Sequence, residues 1–299
     1  MWQIIINPSA GNGKADKQWK TIEAALIKAN ITFNVHRSER ALHCTKIAKS
    51  LIEQGVRNLI GIGGDGTNHE IINGLMLQKA VPTNEVTYGF IPVGTGNDWV
   101  KTHGISNLFE QAIQVIKNRN LKTQDVGKMT LESKNPSYFI NLAGIGFDGF
   151  VVSKVNKYKH LGAVSYLAGA LLGVFSFKNF KSKVSVNSKI IESKTLMILV
   201  GICKYSGGGM QLTQTPNPFD GFLDISVVKN IGKFDIIKNV VNLFNGKITN
   251  HKKVETLKST SINIEITDKI KPYIQADGEL IGVGNIEISI VPKAFSFYC

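Results

Sequence analysis

The amino-acid sequence predicts an N-terminal α/β domain with a parallel sheet, followed by a β-rich, sandwich-like second domain, with a cleft between two lobes. Three observations lead there. Up to about Thr123, apolar runs of strand length alternate with amphipathic helical stretches, the βαβ pattern of a parallel sheet. Three of those runs open into glycine-rich polar loops. Beyond Thr123 strand-like segments dominate, interrupted by one long helical stretch, Gly149 to Phe177. The expected boundaries are 1–123, 124–291 and a C-terminal segment, 292–299, that returns to pack on the first domain; two domains suit a chain of 299 residues.

The elements follow in order. Trp2 to Ile6 reads as a buried strand running into Asn7-Pro8-Ser9-Ala10-Gly11-Asn12-Gly13-Lys14, with a helix from Ala15 to Ala29 behind it. Pro8 stands where a Walker A loop has its first glycine and Ala15 where it has Ser or Thr, so this is not that loop. A glycine turn with a lysine can still hold phosphate through backbone N–H groups and the ammonium. Thr32 to His36 is the second strand, with Ser38 just past its end, and Leu42 to Glu53 an amphipathic helix.

Leu59, Ile60 and Ile62 form the central strand. Gly63, Gly64, Asp65 and Gly66 make the turn after it, Thr67 occupies a helix N-cap position, and Asn68 to Met76 look helical. A strand ending in such a turn at a helix N-terminus is an anion site. Gly61, Gly63 and Gly66 also satisfy G-x-G-x-x-G, yet the next strand lacks the ribose-binding acid at its end: Asn84-Glu85 precede it and Ile91-Pro92 follow. A carboxylate at Asp65 repels phosphate unless a cation intervenes, which points to Mg²⁺ and phosphoryl transfer; a ligand-free glycine loop is the alternative. Val86 to Ile91 is a further strand, opening onto Gly94-Thr95-Gly96-Asn97-Asp98. Loops at the carboxyl ends of parallel strands converge on one edge, where ligands bind.

In the second domain strands are expected at Asp125 to Thr130, Tyr138 to Leu142, Val184 to Val186, Lys194 to Cys203, Leu223 to Val228, Ser261 to Thr267, Tyr273 to Ala276 and Ile286 to Val291. Leu161 to Phe177 carries no charge; it contains three glycines and is flanked by lysines, so a buried or interfacial helix is expected rather than a span. The balance of 35 Lys and Arg against 22 Asp and Glu gives +13. No helix-turn-helix, RNP or zinc-finger pattern accompanies that charge, so nucleic acid is not expected, and an anionic membrane surface explains it equally well. Three unevenly spaced cysteines make neither a disulfide framework nor a metal cluster. The N-terminus has no basic segment of a signal peptide, so a cytoplasmic location is expected.

Gly63-Gly64-Asp65-Gly66-Thr67, with Glu70 and Asn73-Gly74 after it, resembles the GGDGT signature of the diacylglycerol kinase catalytic family, which includes soluble bacterial lipid kinases. Other landmarks stand in family order. Residues 7–14 resemble the opening N-P-x-S/A-G-x-G element. Residues 92–101 resemble P-x-G-T-x-N-D-[FL]-[AV]-R, with Lys101 for the arginine. Phe139-Ile140-Asn141 and Gly144-Ile145-Gly146-Phe147-Asp148 resemble the family's element in which F-x-N is followed by G-F-D; Asn141 and Asp148 read equally as turn residues. Asn68 and His69 depart from the usual apolar residue and Asn after the signature.

The resemblance implies an ATP- and Mg²⁺-dependent lipid kinase, most simply of diacylglycerol, peripheral at the inner membrane face. It implies nucleotide contacts from Asn7, Pro8, Ser9, Gly11, Gly13, Lys14, Ser38, Gly63, Gly64, Asp65, Gly66, Thr67, Glu70, Thr95, Asn97, Asp98 and Asp277. Asp65 and Glu279 carry the catalytic roles, Glu279 as acceptor of the lipid hydroxyl's proton. A structural Mg²⁺ maps onto Asn217, Asp220 and the carbonyl of Phe222, with a plain Asp-Gly turn as the alternative. Asp277-Gly278 also reads as an ordinary hairpin turn. A sphingoid base, phosphatidylglycerol or NAD as acceptor, or a non-catalytic nucleotide- or lipid-binding protein, stays open, and so does a homodimer.

Overall fold

The computed structural model describes residues 1–132, 134–155 and 176–299. Most of the expected helix from Gly149 to Phe177, and of the apolar run within it, lies outside the described residues. The chain divides into two compact units, Met1–Asp125 with Pro292–Cys299, and Val126–Val291.

In the first unit β1 (Trp2–Ile6), β2 (Phe33–Arg37), β3 (Asn58–Gly63) and β4 (Thr87–Pro92) alternate with α1 (Ala10–Lys28), α2 (His43–Glu53) and α3 (Asp65–Leu77). All pairings are parallel, in the order β4-β3-β1-β2. The central strands β1 and β3 are apolar on both faces: Ile4, Ile5, Ile6, Leu59, Ile60 and Ile62 are fully buried, as a sheet covered by helices on both sides requires. Two short helices, α4 (Asp98–Thr102) and α5 (Phe109–Asn118), were not evident in the sequence. The chain end adds a fifth strand: Ser296 and Phe297 pair in parallel with Thr87 and Tyr88. There Phe295 and Phe297 join Tyr88, Phe90 and Trp99 in one aromatic cluster with centroids 4.9 to 6.4 Å apart.

The second unit is an antiparallel β assembly. It holds the rest of β5 (Leu121–Leu131), then β6 (Ser137–Phe139), β7 (Leu142–Gly146), α6 (Phe147–Val155), β8 (Phe180–Val186), β9 (Lys189–Gly201), β10 (Leu223–Lys229), β11 (Val254–Ser259), β12 (Ser261–Ile266), β13 (Tyr273–Ala276), β14 (Glu279–Val283) and β15 (Ile286–Tyr298) up to Val291. The sheet order is β14-β13-β7-β9-β8-β12-β15, with β10 and β11 branching from β9. Phe147 and Val151 of α6 pack with Leu196, Val228 and Ile231 in a buried apolar cluster.

Two expectations need correction. The strand from Tyr138 to Leu142 is two strands, β6 and β7, with Ile140 and Asn141 between them. The N–H groups of Ile140, Asn141 and Leu142 donate to the Asp277 carboxylate, at 3.0, 2.9 and 3.1 Å. A side chain thus replaces ladder partners at the break. Thr67 is not a helix cap: α3 starts at Asp65, with Gly64 as its extended N-cap residue. Strands β11 and β14 had no sequence signal strong enough to be read, since Val254–Ser259 is mostly polar and β14 starts directly behind a turn.

Candidate functional site

In the first unit the carboxyl ends of four parallel strands stop at one level, Ile6 opposite Arg37 and Ile62, and Gly63 opposite Pro92. The loops leave in step, with Asn7 N–H donating to Ile62 O at 3.1 Å, Ser38 N–H to Ile6 O at 2.9 Å and Val93 N–H to Gly63 O at 2.7 Å. Between β1 and β3 the winding reverses, and crevices at such switch points are where open α/β sheets take ligands.

The glycine loops lie against one another. A Cβ on Gly11 would fall 2.3 Å from Val93 O, and one on Gly94 would fall 2.7 Å from the Gly64 Cα. Any side chain would therefore push the loops apart. Gly11, Asn12 and Gly13 hold φ of 60°, 59° and 81°, a left-handed stretch that bares N–H groups on the concave side of a turn. Lys14 beside it is exposed and, with Gly94, exposed Thr95, Asn97 and Asn107, lines a cavity of about 290 Å³. The first turn of α3 aims its own N–H groups at this edge, where the helix dipole favours negative charge.

Asp65 and Asp98 flank Gly96: a Cβ there would lie 2.8 Å from Asp65 Oδ2 and 4.0 Å from Asp98 Oδ2. Among the described residues no group of three His, Cys, Asp or Glu could hold a metal. Two hard carboxylates without a third suit Mg²⁺ that is shared with substrate phosphates, not an all-protein cage.

Several sequence-predicted residues turn out to brace this edge. Asn7 accepts from the N–H and hydroxyl of Ser9 and donates to Thr67 Oγ1 at 3.2 Å. Thr67 fills the space a side chain on Gly63 would need. The Glu70 carboxylate accepts the N–H groups of Leu42 and Cys44 at 2.9 and 3.0 Å, capping α2. Ser38 is buried, its hydroxyl against Cys44, whose thiol burial pushes up to about 11. Asn97 donates to Gly94 O and to Asn107 Oδ1, fixing the third loop.

The departures also become intelligible. Asn68 is buried and accepts the Tyr88 hydroxyl at 2.8 Å, and Gly61 leaves room for that hydroxyl. His69 is buried with Asn73, which donates to its carbonyl at 2.9 Å. Gly61 therefore serves packing, not a ligand. Trp99 and His103 both hydrogen-bond Gln124 Oε1, at 2.8 and 2.9 Å. Gln124 was not singled out in the sequence, because an amide inside a strand carries no local mark.

In the second unit Asp277 and Gly278 hold φ of 50° and 85°, the two-residue turn joining β13 to β14. The turn is braced, since the Asp277 carboxylate caps the start of β7 as described above. Half-buried Glu279 is the first residue of β14. The Asp220 turn does not fit a structural Mg²⁺. Its Oδ2 lies 2.7 Å from the Lys258 ammonium and its Oδ1 accepts the Phe222 N–H at 3.0 Å. Asn217 Oδ1 accepts the Phe219 N–H at 3.1 Å. The positive charge that a metal would bring to this turn comes from a lysine.

Comparison with known proteins places these features. The diacylglycerol kinase catalytic domain matches residues 1–129, and the YegS C-terminal NAD kinase beta sandwich-like domain matches residues 141–299. YtlR of Bacillus subtilis (strain 168) is 28% identical, across 98% of this chain and 97% of its own. A diacylglycerol kinase of the same strain is 26% identical, across 94% of this chain and 90% of its own. The crystal structure of a diacylglycerol kinase from Bacillus anthracis str. Sterne covers 100% of this chain and 96% of its own, with a TM-score of 0.76 at 25% identity. The YegS C-terminal model alone spans more than half of the chain, so the chain belongs to that family, and with the diacylglycerol kinase catalytic match ahead of it in order it is a lipid kinase.

Proposed function

We propose that the chain transfers the γ-phosphoryl group of ATP to a lipid hydroxyl, with diacylglycerol as acceptor and phosphatidic acid as product. The observation that carries this reading is the contact between the glycine loops after β1, β3 and β4, with Lys14 and Thr95 beside them. Those N–H groups and the ammonium bind the nucleotide phosphates. Asp65 and Asp98 would hold Mg²⁺, which neutralises charge on the β- and γ-phosphates when bound. Glu279 takes the proton as the lipid oxygen bonds to the γ-phosphorus, the bond to the bridging oxygen breaks, and ADP leaves. The +13 charge supports peripheral attachment to an anionic membrane. Among the described residues no helix is long and apolar enough to cross a membrane.

The test is an acceptor panel: purified protein, labelled ATP and Mg²⁺ with diacylglycerol, a sphingoid base or phosphatidylglycerol in mixed micelles, and NAD without detergent. Labelled phosphatidic acid is the expected product. Transfer to another acceptor overturns the choice of diacylglycerol, and ATP binding with no transfer to any acceptor overturns catalysis. Glu279→Gln should lower kcat by about 100- to 10,000-fold.

A further inference from the structure

Gln275 and Asp148 have no part in the reading above, yet they meet directly behind the turn that carries Glu279. Gln275 is buried on β13. Its Nε2 donates to Asp148 Oδ2 at 2.8 Å, and its Oε1 accepts the Gly278 N–H at 2.8 Å. One amide thus ties the turn to the first turn of α6. That helix end is seated closely. A Cβ on Gly144 of β7 would fall 1.5 Å from Asp148 Oδ2, and a Cβ on Gly149 would fall 2.5 Å from Tyr273 O of β13. Asp148 Oδ1 is sealed from water. Burial pushes its carboxyl up to about 6, with hydrogen bonds from Gln275 first and then from the Gly149 and Asp148 backbone holding it from rising further. A carboxylate kept there against its solvation preference needs a compensating task. Across the turn, the Asp277 carboxylate holds three N–H groups of residues 140–142.

We propose that Gln275 is a positioning residue: its side-chain amide, anchored on Asp148, fixes the Gly278 N–H and with it the direction in which the turn presents Glu279. This rests on Glu279 being the proton acceptor. A base displaced by about 1 Å loses on the order of 100-fold in rate, so the clamp acts on kcat and not on the KM for ATP.

The experiment exchanges donor and acceptor. Gln275→Ala and Gln275→Glu each remove the amide's donated hydrogen bond; the second sets two carboxyl groups together and is read at about pH 9, where no shared proton replaces the lost bond. The double variant Asp148→Asn with Gln275→Glu rebuilds the pair in reverse, since the introduced amide donates to the introduced carboxylate, whose other oxygen still accepts the Gly278 N–H. Expected results are a fall in kcat of about 100-fold in each single Gln275 variant and recovery to within about 5-fold in the double variant. Hydrogen exchange at the Gly278 amide should speed up in the single variants and return in the double.

Should Gln275→Ala fail to fold, the single and double Glu variants, close to native volume, carry the test. Unchanged Gly278 exchange in Gln275→Glu overturns the clamp whatever turnover does. Restored exchange without restored kcat overturns the positioning role. Wild-type kcat in Glu279→Gln overturns the underlying assignment of the base, while Gly278 exchange still reports whether the clamp exists.

Discussion

Asp65-Gly66 and Asp277-Gly278 are the same dipeptide, each in a polar turn at the end of a strand, and they are built for opposite purposes. Asp65 opens a helix, and its carboxylate lies beside the Gly96 backbone of a neighbouring loop. Asp277 sits at a φ of 50° in a tight hairpin, and its carboxylate accepts three main-chain N–H groups that would otherwise go without ladder partners. The first arrangement leaves acidic charge at an edge made of glycine loops. The second uses the acid to join two strands. The general lesson is that an Asp-Gly turn is chemical or structural according to which donors the fold brings within reach. At Asp277 those donors come from residues more than 130 positions away.

The contrast can be broken by substitution. Asp65→Asn should lower kcat by about 100- to 1000-fold, the scale of losing one preorganised electrostatic contact, while moving stability by at most about 1 kcal/mol. Asp277→Ala should do the reverse in its primary effect: three stranded donors destabilise the second unit by about 3 kcal/mol, read as a lower urea midpoint. A stable Asp277→Ala protein that fails only in turnover would erase the distinction.

Asp148 sharpens the comparison through pH. Its carboxyl is raised from 3.8 to about 6, so the folded state holds the proton more tightly than the unfolded one. The stability of the neutral form is present in full below about pH 4 and is lost as pH rises through about 6. At neutral pH the charged form then costs on the order of 2 to 3 kcal/mol. Asp148→Asn should therefore stabilise the protein at pH 7 and flatten the dependence between pH 4 and 7; an unchanged pH profile of the urea midpoint would refute this.

The smallest effect concerns Asp220. With Lys258 as its counter-ion, EDTA should leave the thermal midpoint of nucleotide-free protein unmoved. Lys258→Ala should lower stability by less than about 1 kcal/mol, since both side chains keep solvent exposure. A midpoint that drops with EDTA and returns with Mg²⁺ would restore a metal to this turn.

The sequence by itself determined the division into an α/β half and a strand-rich half, and the positions of the three glycine loops. These properties are local. Unbroken apolar runs, helical periodicity and closely spaced glycines around residues 11, 63 and 94 can be read within a few residues of chain. Only the tertiary structure decided which polar residues brace and which are presented. The sequence shows nothing of the Leu42 and Cys44 N–H groups that the Glu70 carboxylate accepts, and Asn68 reads only as a departure from the family pattern until Tyr88 is found against it. Gln275 carried no signal, because an amide inside a strand acquires its role only when Asp148 and Gly278 arrive on either side. Hydrogen-bond partners of buried groups are set by contacts distant in sequence, and no local pattern encodes them.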